Sequence, residues 1–91
     1  MTARFTVEAL EHAAQIHSFI ATHNVRAAAH VVARIFAEID RLTDFPRLGH
    51  AGEVLGTFER TVPGLPYIIV YQLDRPPHLT VLGIFHGARK R

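Results

Sequence analysis

The hydrophobic rhythm of this chain changes once, at Phe45-Pro46, and that change restricts the fold to helices first and strands afterwards. Before it, apolar residues recur every three or four positions, the spacing of one face of an α-helix. After it, β-branched and aromatic residues come in short runs between prolines and glycines. Proline cannot continue a helix and biases the residue before it toward extended geometry. The segment from Phe45 to Gly52, with one proline and two glycines, is therefore expected to be an irregular loop.

In the helical half, Ala3 to Thr6 reads as a short first strand. Thr6 is placed to cap a helix that starts near Val7, with Glu8 in its first turn favouring the helix dipole. Leu10, Ala13, Ala14, Ile16, His17, Ile20 and Ala21 give that helix its expected buried stripe, up to about Thr22. Asn24 interrupts the run and caps a second helix from Val25 to about Asp44. Its inward positions are Ala28, Val31, Val32, Ile35, Ile39 and Leu42, with Arg34, Glu38 and Arg41 on the opposite side. So short a connection makes the pair an α-hairpin.

The second half predicts three strands. They run from Val54 to Val62, from Tyr67 to Tyr71 and from Leu79 to His86, separated by the turns Pro63-Gly64-Leu65-Pro66 and Asp74-Arg75-Pro76-Pro77. Turns this short imply an antiparallel meander. In the last strand, alternation puts Leu79, Val81, Gly83 and Phe85 on one face and Thr80, Leu82, Ile84 and His86 on the other. Tyr67, Tyr71 and Phe85 lie in apolar runs and are expected in the core. The reading is a single α+β domain, residues 1–91: an N-terminal strand and an α-helical hairpin packed on a three- to four-stranded antiparallel sheet.

With 91 residues and 48% hydrophobic content, the chain has material for one core. The absence of cysteine excludes disulfides, thiolate metal sites and cysteine nucleophiles. No N-terminal leader pattern and no uninterrupted apolar span are visible, so a cytoplasmic protein without membrane contact is expected. Ser18, within the first helix, is the only serine, and no glycine-rich loop leads into a helix; a nucleophile elbow and a phosphate loop are both excluded. His12, His17, His23, His30, His50 and His78 show no metal-ligand spacing, so no metal and no cofactor are expected. Charge is uneven. Residues 1–46 carry four bases against five acids, whereas residues 47–91 carry six bases against three acids and end in Arg89-Lys90-Arg91. Arginine forks pair bidentately with phosphate or carboxylate, so the second half favours an acidic or phosphorylated partner.

Four pieces taken in order resemble the RelE/ParE toxins of type II toxin–antitoxin systems. They are Arg4-Phe5-Thr6 running into a helix with Ala9, the helix exit Leu42-(x3)-Pro46-(x2)-Gly49, the pairing of Arg60-(x)-Val62 with Tyr67-Ile68-Ile69-Val70-Tyr71, and the closing Val81-(x2)-Ile84-(x)-His86-Gly87-(x)-Arg89. The resemblance spans nearly the whole chain. It implies growth inhibition, plasmid stabilisation and neutralisation by a small cognate antitoxin, of ribbon-helix-helix type, in a hetero-oligomer. A disordered antitoxin segment is expected to fold over the helix hairpin and the sheet.

RelE-like members cut messenger RNA on the ribosome, while ParE-like members inhibit DNA gyrase. The middle strands of this chain lack lysine, Lys90 being the only one, and the ending His86-Gly87-Ala88-Arg89 is closer to the ParE-like branch, which is favoured. Target binding would then fall to Arg60, His86, Arg89, Lys90 and Arg91. The alternative, a ribosome-dependent endoribonuclease, needs a base, a phosphate-binding cation and an acid, and Glu59, Arg60 and His86 are those residue types. Glu59 and Arg60 are consecutive, however, and on a regular strand point to opposite faces. Plainer roles are a solvent-facing Glu59, a cross-strand ion pair for Arg60, a backbone-bonded His86 and a solvated tail. A third reading is a degenerate toxin that only binds antitoxin.

Overall fold

A computed structural model describes residues 2–75 and 78–87 of the chain. The elements in order are β1 (Thr2–Phe5), α1 (Val7–Ala21), α2 (Val25–Asp44), β2 (His50–Ala51), β3 (Thr57–Thr61), β4 (Tyr67–Leu73) and β5 (His78–His86). Both caps fall where the side-chain chemistry places them: Thr6 accepts the Ala9 N–H at 3.0 Å, and Asn24 accepts the Ala27 N–H at 3.0 Å. The two helices cover one face of a five-stranded sheet ordered β1-β5-β4-β3-β2. This is the expected α+β architecture.

The sheet differs from the expectation in strand number and direction. Besides the meander β3-β4-β5, it gains β2, formed by His50 and Ala51 in the expected loop, and the expected N-terminal strand, β1, joins β5 in parallel and not antiparallel. Phe5 secures β1 by packing its ring 5.6 Å from that of Phe36 on α2. Thr6 then ties the β1–α1 junction to β5, since its N–H donates to Val81 O at 3.1 Å and its hydroxyl to Leu82 O at 3.0 Å. At the other edge, Val54 and Leu55 are exposed and belong to the β2–β3 turn, not to a strand. The turn closes through Gly56 at φ 87°, a conformation that favours glycine, and Gly52 N–H donates to Thr57 O at 2.8 Å.

The core lies between helices and sheet. Ala9, Ala13, Ile35, Ile39 and Leu42 meet Val62, Tyr67, Ile69, Tyr71, Leu79, Val81 and Ile84 there. Tyr67 and Tyr71 are buried as expected, but Phe85 is only half-buried. The cause is a bulge in β5: Tyr71 pairs with Val81 and Val70 with Gly83, so the alternation shifts at Leu82. Beyond that point Ile84 and His86, and not Gly83 and Phe85, share a sheet face with Leu79 and Val81, while Phe85 still packs on His12 of α1. In α1 the buried stripe is also narrower than expected. Ala9, Ala13, Ile16 and Ile20 point inward, leaving Leu10, Ala14 and His17 exposed beside Val7.

Candidate functional site

Arg60 pairs across the sheet with Ile69, which pairs with Ile84, and this row faces the helices. There its Nε donates to Glu38 Oε2 at 2.7 Å, while Arg41 Nη1 stands 3.7 Å from the other carboxylate oxygen. Glu38 is 5% exposed, a correction to its expected place on the outer side of α2. It occupies the stripe of Ile35, Ile39 and Leu42, and its burial is tolerated because the guanidinium supplies both a charge and a hydrogen bond. Arg60 is thus ion-paired, but to a helix and not across the strands.

Tyr71 lies beside this pair, fully buried. Its hydroxyl donates to Pro46 O at 2.7 Å and accepts the Gly49 N–H at 3.1 Å, which pins the loop after α2 to the sheet. Burial pushes its phenol above the ordinary value of 10.0, opposed by the Gly49 hydrogen bond and then by the Arg60 charge.

Glu59 pairs with His50 and Val70 and leaves the sheet on the face away from the helices. It is 6% exposed, so it does not face solvent, and it accepts the Glu53 N–H at 3.4 Å. The β3–β4 register runs without a bulge, so Glu59 and Arg60 diverge as strand alternation requires. His86 pairs with Tyr67 one row beyond Ile69 and Ile84, on the Arg60 side, and its ring stands edge-on to Tyr67 at 5.6 Å. The structure therefore puts Arg60 and His86 on one side of the sheet and Glu59 on the other. Arg89, Lys90 and Arg91 lie outside the described residues.

His12 was not singled out by its sequence context, yet its Nδ1 accepts the Ile84 N–H at 3.1 Å and its ring packs 4.8 Å from Phe85. The signal was present in strand lengths. The four residues of β1 cannot cover an edge of nine in β5, so an acceptor from elsewhere must satisfy the uncovered amide. Among the described residues, no three His, Asp or Glu side chains converge as a metal site, and no helix is long and apolar enough to cross a membrane.

The family model described as the ParE toxin of the type II toxin–antitoxin system parDE matches residues 3–91. A protein of Sinorhizobium fredii named "Putative toxin Y4kP" is 35% identical over 84 residues, covering 92% of this chain and 85% of that protein. Among solved structures, the chromosomal ParDE system of P. aeruginosa contains a chain of the same fold, with a TM-score of 0.83 at 18% identity, over 94% of this chain and 95% of that one. A YoeB/ParE toxin from Agrobacterium tumefaciens matches with a TM-score of 0.64 at 17% identity, over 94% of this chain and 98% of its own.

Proposed function

Since the chain belongs to the ParE toxin family of type II toxin–antitoxin systems, we propose that it inhibits DNA gyrase by binding and is held inactive by a cognate ribbon-helix-helix antitoxin. The observation that carries binding over chemistry is the divergence of Glu59 from Arg60 and His86. A phosphodiester cleaved by general acid–base catalysis needs its base, cation and acid around one phosphorus. Here the carboxylate lies across the sheet from the other two, and Arg60 is already neutralised by Glu38. Target contact is assigned to His86, the accessible part of Arg60, and the tail bases Arg89, Lys90 and Arg91, with the cytoplasm as the place of action.

The antitoxin contact is supported by the helix hairpin. Val7, Leu10 and Phe19 on α1 and Val25 on α2 are large apolar side chains left exposed, the kind of surface that an amphipathic segment folding on contact would cover.

The test is a gyrase supercoiling assay with purified chain, alongside induced expression with and without the neighbouring small gene. Supercoiling should fall, growth should arrest, and the antitoxin should reverse both. Codon-positioned cleavage of messages in a translating extract, with supercoiling untouched, would replace this reading by the endoribonuclease. Neither effect from folded, soluble protein would leave a degenerate toxin that only binds antitoxin.

A further inference from the structure

On residues that include His86 and Phe19 of the proposed target and antitoxin contacts, the geometry points to a binding site for a planar heteroaromatic ring of the nucleobase class, in the cleft between α1 and the C-terminal half of β5. His12, Gln15 and Phe19 line it from α1, and Tyr67, Phe85 and His86 line it from the ends of β4 and β5, around about 600 Å³. That volume lies within the usual range of small-molecule sites, roughly 300–1,000 Å³.

The cleft is shaped by the packing of its own rings. Phe85 lies 4.8 Å from His12 at an interplanar angle of 56°, and Tyr67 lies 5.6 Å from His86 at 87°. Gly83 makes the first pair possible. A Cβ there would stand 2.6 Å from the Phe85 ring and 3.1 Å from His12 Cε1, so the absence of a side chain seats both rings against the strand. Phe19 stays 61% exposed and provides an accessible aromatic face at the mouth.

The polar groups select the ligand chemistry. His12 Nδ1 already accepts the Ile84 N–H, so the neutral ring carries its proton on Nε2 and that edge is a donor. The exposed Gln15 amide supplies a donor and an acceptor. An aliphatic ligand would bury such groups without partners. A cation would find no carboxylate among the described residues, because no Asp or Glu of theirs lines the cleft. A nucleobase offers a flat π-face for the aromatic rings and a donor–acceptor edge for the imidazole and amide. Base–aromatic stacking tolerates every base, so the assignment is to the class.

The experiment is amide and imidazole NMR of the full chain titrated with AMP and GMP. Ribose 5-phosphate and toluene serve as controls, and a short single-stranded oligonucleotide forms a second arm. Saturable shifts confined to Gln15, Phe19, Phe85, His86 and the His12 ring are expected with the mononucleotides. Phe19→Ala should weaken binding about tenfold, the scale of one lost stacking contact. Phe19 is outside the core, so unshifted core amides will show that this variant keeps its fold. Tighter binding of the oligonucleotide would assign the base to a nucleic-acid strand, and equal binding to a free nucleotide; both support the site. The proposal is overturned if no saturable shift occurs up to nucleotide solubility, if ribose 5-phosphate reproduces the shifts, or if toluene binds as well as the nucleotides.

Discussion

Glu38 and Tyr71 show how far single side chains could be read in advance. A carboxylate among bases on a helix reads as an outward residue, and only the strand packed beneath it reveals the guanidinium that draws it inward. Arg60 carried a clearer signal, because alternation against Glu59 alone fixed that the two would part. With Glu38→Ala, Arg60 keeps a half-buried charge without a partner. The loss is expected to be about 1–3 kcal/mol in urea unfolding, and Glu38→Gln, which keeps an acceptor, should lose less. Tyr71→Phe removes two buried hydrogen bonds and should cost about 1–2 kcal/mol at neutral pH. Its pH signature is separate. The folded state holds the Tyr71 proton more tightly than the unfolded chain, so this contribution is complete below the ordinary value of 10.0 and is lost as pH rises beyond it. Stability measured from pH 8 to 11 should therefore fall less steeply in Tyr71→Phe than in the parent.

At the level of elements, the two caps, the helix exit at Pro46 and the turn at Gly64 were legible because each depends on a few adjacent residues. The bulge at Leu82 was not. Nothing in β5 alone states that Val70 and Tyr71 will pair with residues two apart, and the shift decides which of Ile84 and Phe85 enters the core. The inward stripe of α1 was misjudged for a related reason. Leu10 and Ala14 extend the apolar side of the helix past what the sheet can cover, so pattern alone cannot say where the buried part stops. The loop from Pro46 to Gly49 offers a direct check on packing between elements. A Cβ at Gly49 would lie 2.5 Å from the Tyr71 hydroxyl and 2.7 Å from the Glu59 carbonyl oxygen, which belongs to the backbone and cannot swing aside. Gly49→Ala should cost about 1–3 kcal/mol by thermal or urea unfolding. The same substitution in a Tyr71→Phe background should cost less than in the parent, because the hydroxyl contact is already gone.

For the whole molecule, the order of elements could be read along the chain, but the parallel pairing of β1 with β5 could not, since no local residue names so distant a partner. The basic tail tests a property of the molecule as a whole, its field. Replacing Arg89, Lys90 and Arg91 together with alanine is expected to leave the melting temperature within a few degrees of the parent. The proposed gyrase inhibition should fall sharply in the same variant. A normal melt with undiminished inhibition would remove the tail from the target contact. The β1–β5 pairing also governs when this toxin can come into being. A chain emerges from synthesis N-terminus first, yet β5, made after the other described strands, lies between β1 and β4. Until it arrives the helical hairpin has no completed floor, and the Leu42 stripe has only part of its sheet to close upon. Such non-local pairing is slow to form and leaves apolar surface uncovered in the interval. The interval is one in which a partner already present could meet the helices before the sheet is finished, and a message cut short before residue 78 would yield a chain whose β1 has no strand to pair with.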